Sequence, residues 1–279
     1  MTSGAPVQLC RAGVLGSPIA HSLSPLLHEA GYAVRELTSW RYTVHEVSRT
    51  ELAAFLAELD HSWRGVSLTM PLKEAAFEVA STVTPLAEQA RSINTLIRRA
   101  DGGWDATNTD VAGIVGALAP VPQRLRQRPA VVVGTGATAR SAVLALAEIG
   151  VPSVRIAGRT RSAVAAVVSL ARDLDLVSEG VRLEEWPQDD PGIIVSTVPA
   201  NASESVAAAI TSRHTGMLLD VVYANWPTPL ANAATEAGLV VVSGLDMLVH
   251  QAAVQFELFT GVAAPVQAML RAGRAALSR

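Results

Sequence analysis

AVVVGTGATARSAVLALAEI, residues 130–149, holds the transition that decides the fold. Ala130–Val133 is a continuous apolar run, the pattern of a strand buried on both faces. Gly134–Ala139 follows as G-x-G-x-x-A, and Arg140–Ile149 then repeats apolar residues at helical spacing. Each small residue has a physical task in such a unit. Gly134 permits the tight turn, Gly136 lets a pyrophosphate approach the backbone, and Ala139 lets helix and strand pack closely. The helix N-terminus, at Ala137 and Thr138, offers unpaired N–H groups to the phosphates. Alone, the pattern also describes a tight structural turn. The strand before it and the helix after it point to a dinucleotide.

Downstream, Val154–Ala157 reads as the next strand and runs into Gly158-Arg159-Thr160-Arg161-Ser162. An NAD enzyme places Asp or Glu about 20 residues past the loop, on the adenosine ribose. No acid stands here. Arg159 and Arg161 suit a 2′-phosphate, with Thr160 adding a hydroxyl, so the expected cofactor is NADP. The rival reading makes both arginines solvated loop residues of an Arg-rich chain. Ile193–Ser196, Met217–Asp220 and Leu239–Ser243 supply three more strands of a Rossmann-type series. From Asp246 onward the i, i+3, i+4 spacing predicts two helices, separated near Gly261–Pro265.

Upstream the pattern is α/β again. Arg11–Leu15, Tyr42–Val47, Gly65–Leu68, Ser92–Arg98 and Gly103–Thr107 read as strands. Pro25–Val34, Glu51–Leu59 and Lys73–Val79 read as helices. Such alternation indicates a mostly parallel or mixed sheet. Val121–Pro129, polar, basic and bracketed by prolines, reads as an exposed connection between two domains.

Composition narrows the function. The 279 residues are 49% hydrophobic and 17% charged, with a formal charge of -3, which excludes a disordered tail protein and a basic nucleic-acid binder. The single cysteine, Cys10, forms no intrachain disulfide. No apolar stretch reaches the roughly 18 residues needed to span a bilayer. The N-terminus MTSGAPVQLCRAGVLGS lacks the basic segment of a secretory signal, so a cytoplasmic location is expected. Six histidines without HxxxH or HExxH spacing and one cysteine give no metal site. His21, His28 and His250 read as loop or helix-surface residues without chemistry.

Of 22 basic residues only Lys73 is a lysine. Arginine stays protonated, whereas lysine releases its proton when its surroundings favour the neutral form, so Lys73 is a candidate proton-transfer group. It follows the strand Gly65–Leu68, and ligand crevices in α/β sheets lie outside the carboxyl ends of strands. Asn94-Thr95 and Asn108-Thr109-Asp110 mark two further strand ends, and the first loop adds His21, Ser22 and Ser24. Many short polar groups suit a small polyhydroxylated or carboxylated ligand. Bland readings stand beside these: a serine capping the helix after Pro25, asparagines as turn formers, and Gln251 as a satisfied polar group in an apolar helix.

GSPIAHSLSP (16–25), VSLTMPLK (66–73), INTL (93–96) and NTD (108–110) resemble, in order and separation, the shikimate dehydrogenases. So do GTGATA with GRT, DVVYANWPTPL (220–230) and SGLDMLVHQAAVQFELFTG (243–261). The resemblance covers nearly the whole chain. It implies an NADP-dependent oxidoreductase that interconverts 3-dehydroshikimate and shikimate. Ser22 and Ser24 would bind the carboxylate, with Tyr223 near it. Thr69, Asn94 and Gln251 would contact ring hydroxyls, and Lys73 with Asp110 would handle the proton. Gly244 and Met247 would lie by the nicotinamide, and Thr197 would fall on the cofactor side. It further implies a substrate domain of residues 1–110 plus 246–279, with a Rossmann NADP domain of 111–245 inserted. The implied partners are the small substrate and, at most, a second copy of the chain, with neither nucleic acid nor membrane.

The chain departs from the family pattern on the cofactor side. Gly158 stands where Asn is frequent, Ala163 where a further basic residue is frequent, and Ser196-Thr197-Val198-Pro199 replaces an Asn-Ala-Thr-Ser type of loop. Related quinate or aminoshikimate dehydrogenases, and a catalytically silent ligand sensor, remain open at the level of sequence.

Overall fold

A computed structural model describes residues 9–186 and 190–278. The first eight residues, read above for a leader, lie outside them. The chain divides into two compact units, Met1–Thr109 with Gln251–Arg279 and Asp110–His250.

The first unit opens with β1 (Cys10–Gly16), α1 (Ser24–Val34), β2 (Trp40–Glu46), α2 (Leu52–Ala57), β3 (Trp63–Leu68) and α3 (Leu72–Ala75). It continues with β4 (Thr82–Val83), α4 (Pro85–Ala90), β5 (Thr95–Arg98) and β6 (Trp104–Thr107). The sheet order is β2-β1-β3-β5-β6-β4. β1 pairs in parallel with β2 and β3, while β5 runs antiparallel to β3 and β6, so the sheet is mixed. One core layer gathers Leu15, Val66, Leu68, Leu72, Ile93 and Leu96. The other gathers Ala12, Val14, Tyr32 and Tyr42 with Phe256 and Phe259 from the far end of the chain.

The second unit comprises α5 (Asp110–Leu118), α6 (Gln123–Arg126), β7 (Ala130–Val133), α7 (Ala137–Glu148), β8 (Ser153–Gly158) and α8 (Arg161–Asp173). β9 (Val177–Arg182), β10 (Ile193–Ser196), α9 (Ser203–Ala207), β11 (Met217–Asp220), α10 (Pro229–Glu236) and β12 (Val240–Ser243) follow. The helix α11 (Gly244–Thr260) then carries the chain back into the first unit, where α12 (Val266–Leu277) ends it. The second sheet is parallel throughout, in the order β12-β11-β10-β7-β8-β9. The doubly wound arrangement places its switch point at β7: the chain runs outward from it through β8 and β9, then crosses back to lay β10 on its other side.

Several elements differ from their sequence reading. The helix expected over 73–79 is a single α turn that tightens into a 3-10 turn at Ala76–Glu78. Pairing expected from Ser92 begins at Thr95: the Ile93 N–H is spent on the Lys73 carbonyl, while the Asn94 N–H still reaches Thr107 at the end of β6. The connection 121–129 is not simply exposed: it forms α6 and buries Val121 and Leu125. His28 is a core residue rather than a helix-surface one, with its ring stacked at 4.0 Å on that of Tyr42. Two unread helices share one start signal, Thr-Pro-Leu. Thr84 and Thr228 each accept a backbone N–H three residues on, with proline at the first helical position.

Candidate active site

In the first unit the register aligns Leu15 with Leu68, Ser67 with Thr95, and Thr95 with Thr107. The loops after β1, β3 and β6 and the one before β5 therefore leave the sheet at the same end. Those loops carry Ser22, Ser24, Thr69, Asn94 and Thr109. Ser22 accepts the Ser24 N–H through its hydroxyl at 3.3 Å, so it shapes the entry to α1, while Ser24 is buried at the first turn. The Ser24 hydroxyl also faces the phenol of Tyr42. Thr69 is tied to β1 by its N–H on the Leu15 carbonyl, 3.0 Å, and its own carbonyl accepts the Leu72 N–H that opens α3. Lys73 is half-buried in that turn, and its carbonyl accepts the Ile93 N–H at 2.8 Å, next to Asn94.

Asn94 is 1% exposed, and its side-chain amide orientation is dictated by a backbone group. The Thr109 N–H donates to Oδ1 at 2.7 Å, so the other atom is Nδ2, which donates to Thr109 Oγ1 and to Gln251 Oε1, each at 3.0 Å. Residues 157 apart in sequence thus meet at one point. Asn108 holds the preceding turn through Nδ2 on the Ser92 carbonyl, 2.8 Å. Asp110 opens α5 in the second unit and is itself 1% exposed.

In the second unit the carboxyl ends of five strands line up. Val133 pairs with Ala157 and Ser196, Ser196 with Asp220, and Asp220 with Ser243. The residues immediately beyond are Gly134, Arg159, Thr197, Val221 and Gly244. Gly134 has φ +117°, and a Cβ there would fall 2.2 Å from Thr197 Oγ1, which itself donates to the Val133 carbonyl. Gly136 is the opposite case: a Cβ there would meet nothing within 4 Å. The space above the N-terminus of α7 is therefore open, as a phosphate cradle requires. Ala139 is fully buried in the first turn of α7. Arg159, Thr160 and Arg161 are exposed, and Thr160 spends no side-chain bond on capping α8. A chain with this open cradle and these two exposed guanidinium groups fits a dinucleotide phosphate.

Gly244 packs against the Val221 carbonyl, where a Cβ would stand at 2.0 Å, and Met247 is buried one turn on. Tyr223 is half-buried, and its desolvation raises the phenol pKa. Asp220, unassigned from sequence, anchors this segment. Its Oδ2 accepts the Thr228 hydroxyl at 2.6 Å and its Oδ1 the Val222 N–H at 3.3 Å, yet burial still pushes its pKa up. Thr228 also accepts the Ala231 N–H, so one hydroxyl caps α10 and holds Asp220. The stretch bearing Tyr223 is thereby pinned at both ends.

Behind Asn94 lies Thr95, which the sequence marks as a strand-end hydroxyl, together with Tyr42, Ser67 and Gln255, which sequence reasoning missed, each buried. Gln255 had a readable signal. It stands four residues after Gln251 on one helix, hence on the same face. Tyr42 and Ser67 had none, since each reads as an ordinary strand residue.

Comparison with known proteins agrees with this geometry. A family profile described as shikimate dehydrogenase substrate binding domain matches residues 14–96, and one described as shikimate 5'-dehydrogenase C-terminal domain matches 244–272. The shikimate dehydrogenase (NADP(+)) of Cereibacter sphaeroides is 36% identical over 94% of this chain and 95% of its own length. The crystal structure of Mycobacterium tuberculosis shikimate dehydrogenase is 40% identical, with TM-score 0.88 over 96% of this chain and 99% of that one. A Thermus thermophilus shikimate 5-dehydrogenase in complex with NADP(H) and shikimate is 31% identical, with TM-score 0.83 over 96% and 100%.

Proposed function

This chain belongs to the shikimate dehydrogenase family, and from that premise we infer that it catalyses the NADP-dependent, reversible reduction of 3-dehydroshikimate to shikimate. The observation that carries the reading is the meeting of Asn94 and Gln251 beside the Lys73 turn, in a unit of its own next in sequence to a phosphate-cradling one. NADP, when bound, supplies the hydride for reduction or accepts it for oxidation. Gly134, Gly136, Ala137, Thr138 and Ala139 form the pyrophosphate loop, and Arg159, Thr160 and Arg161 hold the 2′-phosphate. Thr197, Gly244 and Met247 border the remainder of the cofactor.

Substrate binding falls to Ser22, Ser24 and Tyr223 at the carboxylate, and to Thr69, Asn94 and Gln251 at the ring hydroxyls. The Asn94 edge beside Gln251 carries N–H, so a ring hydroxyl that meets it there is used as an acceptor. Lys73 and Asp110 hold and move the proton at the alcohol oxygen: oxidation of a ring alcohol releases a proton together with the hydride, and the chain offers these two groups to receive it. A purified-enzyme panel tests the reading, with shikimate, quinate and aminoshikimate each assayed with NADP and with NAD. Turnover highest for shikimate with NADP supports it. Preference for another ring acid, or none at all, sinks it.

A further inference from the structure

A continuous buried hydrogen-bond track runs behind Asn94, and backbone groups set the direction of its two amides. Two backbone groups decide this. The Asn94 carbonyl can only accept, so the Gln255 atom 3.3 Å from it is Nε2. The Thr109 N–H can only donate, so the Asn94 atom 2.7 Å from it is Oδ1. The hydroxyls between have one hydrogen each. Gln255 Nε2 donates to Thr95 Oγ1 at 2.9 Å, and the Thr95 hydrogen goes to Asn94 Oδ1 at 2.8 Å, nearer than the Thr109 hydroxyl at 3.4 Å. At its other end Gln255 Oε1 accepts from Ser67 at 2.8 Å, and Ser67 in turn accepts from the Tyr42 phenol at 2.7 Å. Tyr42 is held by its stack on His28 and faces Ser24.

Behind Asn94, Gln255 is the member with an acceptor end and a donor end on separate atoms. It is 2% exposed and uses both. Without its N–H, Thr95 is free to turn its hydrogen elsewhere, and Asn94 Oδ1 loses one of the donors that keep Nδ2 facing Gln251. Its place on α11, one turn beyond Gln251, lets a single helix supply both a group that meets Asn94 and a group that orients it.

We propose that Gln255 is a positioning residue for substrate recognition, acting through Thr95 to hold the Asn94 amide with its N–H edge on Gln251, where the two side chains together meet the ligand. The proposal rests on the assignment of Asn94 and Gln251 to the ring hydroxyls. Orientation of a binding amide affects recognition of the hydroxyl and leaves the proton-handling pair and the cofactor unit alone.

Steady-state kinetics and thermal melts of Gln255→Leu, Thr95→Val, Thr95→Ser, the Gln255→Leu/Thr95→Val double variant and Asn94→Ala test this. Gln255→Leu and Thr95→Val are each expected to raise the shikimate KM about tenfold, as one misdirected buried polar group does. Their kcat should stay within about twofold, and the NADP KM should not move. Thr95→Ser, which keeps the hydroxyl, should restore wild-type KM. The double variant should be little worse than either single, because both break one path. An unchanged shikimate KM, or losses spread equally over kcat, the NADP KM and Tm, overturns the proposal. If Asn94→Ala raises the KM and Gln255→Leu does not, the proposal falls and the site assignment stands. If Asn94→Ala has no effect, both fall. Should Gln255→Leu not fold, the contrast between Thr95→Val and Thr95→Ser decides alone.

Discussion

Lys73 can act in two ways, as a proton carrier or as a charge that clamps a developing alkoxide, and single substitutions separate them. Lys73→Ala is expected to lower kcat by about 10²- to 10⁴-fold while NADP affinity holds. Lys73→Arg keeps the charge and cannot readily release a proton, so near-normal turnover would leave only the clamp. A change confined to the shikimate KM would make Lys73 a substrate binder. Arg159 is argued at the same scale. It is exposed at the end of β8, beside the loop after β7, where Gly134 donates to the Ala157 carbonyl. A charge-assisted phosphate bond contributes about 1.5–3 kcal/mol. Arg159→Ala should therefore raise the NADP KM by roughly ten- to a hundredfold and the NAD KM little. Equal losses with both cofactors would make Arg159 structural.

Within β7 and α7, two glycines of one motif have different reasons to be glycine, and the structure tells them apart. Gly134 combines φ +117° with a Cβ position 2.2 Å from Thr197 Oγ1. Gly134→Ala should thus destabilise the second unit by about 2 kcal/mol or more, seen as a lower Tm in the absence of cofactor. Gly136 has an ordinary extended conformation, φ −79° and ψ −169°, and open space around it. Gly136→Ala should leave Tm unchanged and raise the NADP KM, because the methyl group fills the space a phosphate needs. If both variants melted early with the same cofactor affinity, the open cradle would have no role. The Thr-Pro-Leu starts of α4 and α10 were legible by capping chemistry. β9 was not: its residues are mostly exposed and include Glu179 and Arg182, so no apolar pattern marks it.

At the scale of the whole molecule, the first unit is closed by residues that come after the second. Phe256 is fully buried against Tyr32 and Gly31, and Phe259 packs on Gly65. A chain ending at His250 is expected to lose shikimate binding and the fold of the first unit, since deletion of even one such aromatic costs about 3–5 kcal/mol. NADP binding should survive in that truncated chain, and titration calorimetry with NADP would check it. Acid stability has an identifiable source in the same core. Burial lowers the His28 pKa to about 3, whereas the unfolded value is 6.5. The folded state keeps this ring neutral and the unfolded state protonates it. Stability is therefore full above pH 6.5 and falls as pH drops from there toward 3, by up to about 1.4 kcal/mol per unit. His28→Phe retains a ring against Tyr42 and should flatten that dependence in urea melts at pH 8 and 5.5. A wild-type stability that does not change between those pH values would count against a neutral buried His28.

Whatever depends on neighbours along the chain was legible from the amino-acid order. Strand, glycine loop and helix at 130–149 follow from periodicity and from the conformations glycine permits, and the lone lysine and the strand-end Asn, Thr and Asp residues announce a polar site. The absence of an acid after β8, with two arginines in its place, was likewise local and pointed to NADP. Which distant groups meet depends on packing between elements far apart in the chain. The contact of Gln251 with Asn94, the burial of His28 and the track from Tyr42 through Gln255 depend on α11 returning to the first sheet. A side chain's hydrogen-bond partner is set by packing across the sheet, and periodicity along a strand carries no record of it.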